Sequence, residues 1–437
     1  MRYPTSWMKK VWDYMKSTIS ERLSNLGIKL PEILIPGRKI SFEKWAVIAC
    51  DQFSSEPSYW AETRRIVGDA PSTLKLFVPE CNLEDDDLNE QIGRTRVAML
   101  ELIQNAALRK LAPGFILVDR STLHVTGRSG LVLAVDLEAY DFSENSRSLI
   151  RPTEDTILKR LPPRMAVRRI APLDLPHIIL LIDDPNDLVM SAARMAARVA
   201  GKKVYDFDLM QDGGHVSGLH VEEKEAEPLV SAFEKLADGS DLLFAVGDGN
   251  HSLASAREVW LEKKSASPPD HPMRYAMVEV ENIHDPGLVF HPIHRVVFNV
   301  QDSKLKRHLR ERLGAETMPR TKNMLSSNEL KILGPDGIAE RWRIRTPTDR
   351  LVVESLQETL DSYLKLRPEA RLDYIHGESS VRELVSSDAG RRLGIVLPDI
   401  DKTVFFNRIL DVGGFPKKTF SLGKAVEKRY YLEARLM

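Results

Sequence analysis

The stretch that most limits what this chain can become lies at residues 242–260. Leu242, Leu243, Phe244, Ala245 and Val246 form an unbroken apolar run. Gly247-Asp248-Gly249 follows, and Asn250-His251-Ser252 leads straight into a segment with Leu253, Ala256 and Trp260 at helical spacing. A short apolar run bounded by turn residues fits a buried strand, and the spaced apolar positions fit a helix packing back on it. Two readings of the joint stay open. Glycines let the backbone approach a ligand closely, and a helix start offers unpaired N–H groups and partial positive charge, which suit phosphate or carboxylate. Alternatively the joint is only a strand-to-helix turn, with Asn250 or Ser252 as N-cap and His251 solvated. The Walker spacing is absent, and Ser252 stands where the dinucleotide fingerprint has its last glycine.

The same alternation runs through the middle of the chain and predicts an α/β (mixed α+β) fold with a mixed sheet. Strands are expected at residues 45–49, 115–118, 131–137, 177–182, 275–280 and 296–300, with residues 126–130 as a turn. Residues 203–210 and 215–221 read as a hairpin around Asp212-Gly213-Gly214. A helix is expected after Asp183-Asp184-Pro185, capped by Asn186, buried along Leu188, Ala192, Met195 and Val199, and stopped by Gly201. Beyond residue 300 the pattern gives helices at 305–313 and 351–366, strands near Trp342 and a terminal strand at 430–434. The expected organisation is a helical extension over residues 1–30, a main domain over 31–300 and a smaller C-terminal α+β part over 301–437. Composition narrows the function classes. Acids (63) and bases (62) nearly cancel, which gives no pull toward nucleic acid or an anionic membrane. Two cysteines, Cys50 and Cys81, cannot make a disulfide framework and fit a reducing, cytoplasmic setting. No segment reaches the length of a membrane span.

Several motifs occur together: Ala49-Cys50-Asp51-Gln52-Phe53 with Tyr59-Trp60; Arg151-Pro152-Thr153-Glu154; Asp248-Gly249-Asn250-His251-Ser252; His291-Pro292-Ile293-His294-Arg295; and Lys418-Thr419-Phe420-Ser421-Leu422-Gly423 with Glu427-Lys428-Arg429-Tyr430-Tyr431. In these the chain resembles the family known as domain of unknown function 1015, across nearly its whole length. That family typically carries Asp-Gly-His-His-Arg at the loop; here Asn250 and Ser252 replace the first histidine and the arginine. The loop is also similar, more distantly, to that of the ParB/sulfiredoxin-like superfamily, which includes free-serine kinases. The resemblance implies that the loop and helix start hold nucleotide phosphates, with ATP or ADP and Mg²⁺ as the expected cofactor. Loss of the arginine would have to be made good by Arg151, Arg295 or Lys418.

The expected site follows from these motifs. Asp248, His251, Asp51 and Glu154 are candidates for proton transfer. Gly247, Gly249, Asn250, Ser252, Arg151, Arg295, Lys418 and Ser421 are candidates for anion binding, and Gln52 and His294 for substrate contact. Arg151 and Glu154 read equally as part of a helix start with Thr153 as N-cap. Cys50 reads as a small buried residue. His291 and His294 lie three apart in a strand and so face opposite ways, which argues against a shared metal, and no metal ligand set is expected. His215 and His220 read as solvated. Charge alternation in Glu427-Lys428-Arg429 reads as surface. The expected function is phosphoryl transfer or phosphate-ester chemistry on a small anionic or polar metabolite, with serine or phosphoserine the most specific form. A metal-dependent hydrolase and a non-enzymatic nucleotide or metabolite binder are the alternatives.

Overall fold

A computed structural model of the protein describes residues 17–54, 56–319, 324–334, 337–345, 350–386 and 391–437. The expected helix carrying Trp7, Val11 and Met15 lies outside these residues. Two compact units emerge. The first takes in the chain up to Leu288 together with Phe406–Gly414 and Ala425–Met437; the second comprises Val289–Phe405 and Phe415–Lys424. The division therefore falls ahead of residue 300, because the long strand at Phe290–Phe298 belongs entirely to the second unit.

The first unit is built on nine strands: β1 (Ile28–Lys29), β2 (Gly114–Ser121), β3 (Arg128–Asp136), β4 (Ile150–Pro152), β5 (Ile178–Ile182), β6 (Lys202–Leu209), β7 (Gly214–Glu222), β8 (Phe244–Asp248) and β9 (Tyr275–Asn282). Their order is β6-β7-β2-β3-β9-β5-β8-β4, with β1 added to β3. The sheet is mixed: β9 runs parallel to β5, β8 antiparallel to β5, and β4 parallel to β8. Side chains alternate in β2, so Phe115 and Leu117 enter one core while Ile116 and Val118 enter another on the opposite face. Around the sheet lie α1 (Pro57–Val67), α2 (Leu88–Gln104), α3 (Leu161–Ile170), α4 (Leu188–Ala200), α5 (Glu227–Ala237) and α6 (Asn250–Lys263). Leu253, Ala256 and Trp260 of α6 join the same core as Phe244 and Val246 of β8. Each such large buried side chain contributes about 1.5–3 kcal/mol.

Local expectations fail where small or charged residues do the packing. In α4 the buried face is Val189, Met190, Ala192, Ala193, Ala196 and Ala197, whereas Met195 (57%) and Val199 (81%) are exposed. The N-cap residue is Asp187 rather than Asn186, and the Asp184 carboxylate accepts from the Val189 amide at 2.8 Å. Residues 153–157 are not a helix start; α3 begins at Leu161 with two prolines in its first turn. Trp45 ends a helical turn, Phe42–Trp45, and the strand there is Val47–Ile48. Arg128, Ser129 and Gly130 lie inside β3 rather than in a turn.

The second unit is a seven-stranded antiparallel sheet of β10 (Phe290–Phe298), β11 (Glu316–Met318), β12 (Glu329–Leu333), β13 (Ala339–Arg343), β14 (Arg371–His376), β15 (Arg392–Val396) and β16 (Phe420–Leu422). It carries α7 (Asp302–Leu313), α8 (Val352–Lys365) and α9 (Glu378–Ser386). Leu305, Leu309, Leu356 and Leu360 pack with Trp342 and Ile395 in its core. The protein is thus a mixed α+β protein with a large mixed sheet and a separate antiparallel one. No helix among the described residues is long and apolar enough to cross a membrane.

Candidate functional site

The turn after β8 depends on Gly249. Its φ is +76°, and a Cβ there would lie 3.0 Å from Ile178 Cγ1 and 3.1 Å from Ile178 Cα, so both conformation and space call for glycine. The Gly249 amide donates to Asp248 Oδ1 at 2.9 Å. Asn250 Nδ2 donates to the Glu154 carbonyl at 2.9 Å, and Tyr140 donates to Asn250 Oδ1 at 3.3 Å. His251 Nε2 accepts from the Ile157 amide at 3.1 Å. Asn250 and His251 therefore pin residues 154–157 against the start of α6. In this geometry His251 is a fixed acceptor for the backbone, and Glu154 meets the loop through its carbonyl. The Ser252 amide closes onto the Gly249 carbonyl at 3.0 Å. Gly247 through Ser252 are all half-buried.

An ionised pair and a half-buried acid face this turn. Lys428 Nζ lies 2.8 Å from Asp248 Oδ2, with the lysine side chain only 8% exposed. Burial alone would raise the Asp248 carboxyl, but the Lys428 ammonium, the Gly249 amide and His177 outweigh it and hold the group below its ordinary value. Asp51 moves the other way. Burial, then the charge of Asp248, push it up, against His177 and a hydrogen bond from Gln52. Asp51 Oδ1 is buried with no hydrogen-bond partner. Next to it the Cys50 thiol is driven up to about 12 by burial, so it stays protonated and inert near neutrality. His177 Nε2 lies 2.8 Å from Ser252 Oγ, and its Nδ1 lies 3.2 Å from the Tyr431 hydroxyl, which accepts from the Cys50 amide at 3.3 Å. Glu80, hydrogen-bonded through its amide to the Cys50 carbonyl, pairs with Arg164 at 2.8 Å.

Other expected residues have different work. Arg151 donates to the carbonyls of Ser148 and Asp241, at the end of β8 away from the glycine turn. Arg295, His294, Lys418 and Ser421 belong to the second unit. There the fully buried Arg295 donates to Gln357, to the Ile293 carbonyl and to the Lys418 carbonyl, and stacks 4.5 Å over Tyr374. His294 Nδ1 accepts from the Leu397 amide, and burial drops the ring to about 4, so it is neutral near pH 7. Ser421 Oγ donates to the Gly423 carbonyl. His215 is gripped by Asp206 and Asp208, and His220 by the Ala112 carbonyl. Among the described residues no group of three or more His, Cys, Asp or Glu could hold a metal by itself.

Sequence reasoning passed over His177, Lys428, Tyr431 and the Glu80–Arg164 pair. Glu427 (2%), Lys428 (6%) and Arg429 (3%) are buried, not a surface run. Arg429 bridges Glu279 at 2.8 Å and also binds Glu433, itself 2.5 Å from the Tyr205 hydroxyl. The apolar Tyr430-Tyr431-Leu432 that follows was the available signal, since a charged triplet feeding such a run is drawn inside with it.

A family model described as "Protein of unknown function (DUF1015)" matches residues 34–363. A search of curated proteins found no match. Among solved structures, a conserved hypothetical protein from Pyrococcus furiosus is similar at 12% identity and a TM-score of 0.35, over 69% of this chain and 90% of that one. A free serine kinase in complex with AMP is similar at 11% identity and a TM-score of 0.39, over 69% and 90%. SbnI from Staphylococcus aureus, with its C-terminus truncated, is similar at 9% identity and 0.34, over 67% and 82%. Likeness this slight carries no weight for mechanism.

Proposed function

The chain belongs to the DUF1015 family, a membership that fixes no activity, and from that premise we propose that it is an enzyme of phosphoryl transfer or phosphate-ester chemistry on a small polar metabolite. One observation carries the reading: the glycine turn is flanked by the Asp248–Lys428 ion pair, 2.8 Å apart, and by Asp51, whose Oδ1 is buried without a hydrogen-bond partner, with Asp51 shifted up and Asp248 down. Such opposed shifts mark acid–base partners in catalytic sites. Asp51, raised and with an orphaned Oδ1, is suited to take the proton of an attacking hydroxyl. Asp248 stays ionised and holds the Lys428 ammonium at the helix start, where phosphate oxygens would meet it. Phosphoryl transfer asks mainly for positioning and charge neutralisation, which these groups supply.

The charge of the site bears on the cofactor. Asp51 and Asp248 against Lys428 leave one net negative charge when both acids are ionised, which repels phosphate. Mg²⁺ characteristically takes one or two carboxylates together with substrate phosphates, so Asp248, with the substrate's phosphate oxygens, would hold the ion and Asp51 is left as the base. When bound it would neutralise charge on the transferring group. ATP or ADP is the proposed phosphoryl carrier, and serine or phosphoserine the most specific proposed partner, through the likeness of the loop.

Phosphorus NMR of the purified protein tests this. ATP, ADP or pyrophosphate with serine, and phosphoserine alone or with ADP, would be followed with and without Mg²⁺. The expected result is Mg²⁺-dependent conversion of at least one pair. Asp51→Asn should slow it by about 10²–10⁴-fold while heat-stabilisation by nucleotide persists. No change in any phosphorus species, with no stabilisation by nucleotide or pyrophosphate, would overturn the reading.

A further inference from the structure

Resting on that reading, we propose that Ser252 is a nucleophile that carries the phosphoryl group covalently between donor and acceptor, with His177 as its base and Tyr431 as the residue that positions His177. Ser252 Oγ sits 2.8 Å from His177 Nε2, and the opposite ring nitrogen is 3.2 Å from the Tyr431 hydroxyl. A hydroxyl, a base in hydrogen-bond reach and a third group orienting the base are the diagnostic arrangement for an activated nucleophile. The Ser252 side chain belongs to the first turn of α6, two residues beyond Asn250. A phosphoryl group attached to it would lie within the positive end of the helix.

The proposed mechanism uses the tautomer with the ring proton on Nδ1, toward Tyr431. The Tyr431 oxygen accepts from the Cys50 amide at 3.3 Å. The oxygen then accepts from Nδ1–H, leaving Nε2 bare toward Ser252. In the first half-reaction Oγ attacks phosphorus, the Oγ proton passes to Nε2, and the bond from phosphorus to the leaving oxygen breaks with its electron pair on that oxygen. A nucleoside triphosphate would leave as the diphosphate, or pyrophosphate as phosphate. In the second, an acceptor hydroxyl loses its proton to Asp51 and takes the phosphoryl group. Ser252 Oγ leaves with the electron pair and recovers its proton from His177. No oxidant or further reactant is needed.

The experiment uses the full chain with Mg²⁺ and either ATP or pyrophosphate, without acceptor, quenched and weighed by intact-protein mass spectrometry. The expected product carries one phosphoryl group, is stable in acid, maps to Ser252 and is discharged when serine is added. Ser252→Ala should abolish the label while keeping the wild-type melting temperature, and Ser252→Cys should restore part of it. His177→Gln should slow labelling by about 10²-fold or more. Tyr431→Phe should shift the pH profile of labelling, which a packing role alone would not move. Turnover of acceptor by wild type and Ser252→Ala alike, with no labelled protein, would overturn this inference and leave the proposed function standing. An acid-labile label on His177 would also overturn it. Absence of both labelling and turnover, with no stabilisation by ATP or pyrophosphate, would remove the proposed function itself.

Discussion

At the scale of single residues, two positions set measurable expectations. Gly249→Ala places a Cβ against Ile178 and forces alanine to φ +76°, so it should destabilise the protein by about 1–2 kcal/mol, read as a lower midpoint in chemical denaturation. An unchanged midpoint would mean that the turn relaxes without cost. Glu281 offers a pH test. It is fully buried, and burial, then the neighbouring Glu279, raise its carboxyl to about 7 despite Arg128 at 3.1 Å. An unfolded glutamate titrates near 4.3. Between those values the folded state holds the extra proton, so this group's contribution is complete below about pH 4 and is lost as pH rises through 7. Glu281→Gln should flatten the dependence of unfolding free energy on pH in that window, and an unaltered slope would contradict it. The sequence singled out Asp51, Asp248 and Gly249 because strand ends and glycine turns leave a local signature. It concealed His177, since a histidine opening a strand looks the same whether or not a serine 75 residues away receives it.

At the scale of elements, strands and helices were largely legible and their buried faces less so. The sequence pattern located β5, β8, α6 and α8 because long apolar runs and regular spacing have few alternative readings. It misjudged the face of α4, where Ala193, Ala196 and Ala197 pack closely and the larger Met195 and Val199 point outward. Size was taken as a proxy for burial, but a helix lying tightly against its neighbours selects small residues. Ala193→Leu should therefore cost about 1–3 kcal/mol by overpacking. Met195→Lys should stay within about 0.5 kcal/mol. Thermal melts of the two variants would check the assignment, and the reverse ranking would refute it. The missed extended segment at residues 153–157 has a comparable cause. Thr153-Glu154-Asp155 resembles a helix cap, yet its backbone is claimed by Asn250 and His251 from another element, and Thr153 donates to the Val246 carbonyl at 2.7 Å.

At the scale of the whole molecule, the sequence pattern predicts a terminal extension, a main domain and a C-terminal part, each continuous, whereas the first compact unit is discontinuous. Nothing local announces that residues 425–437 return to the first unit, because the partners they meet are hundreds of positions earlier. Tyr430 and Tyr431 pair with Ile48 and Val47, Lys428 with Asp248, Arg429 with Glu279 and Arg435 with Asp174. Deleting residues 425–437 would strand the half-buried carboxylate of Asp248 and the buried one of Glu279. Breaking one buried ion pair in this way costs about 3–5 kcal/mol. Two such losses approach the whole stability of a typical domain, about 5–15 kcal/mol. The truncated chain should lose cooperative unfolding and near-ultraviolet dichroism, and a native-like melt would show that the segment is dispensable.

That returning segment also orders events at the ribosome. Residues 289–424 intervene between Asp248 and Lys428, so the nascent first unit must wait through their entire translation with an Asp248 that lacks its lysine. Until Lys428 and Tyr431 emerge, Asp248 lacks its lysine and His177 has the Ser252 hydroxyl but not that of Tyr431, so the arrangement around the turn is incomplete. The arrangement is completed only late in synthesis.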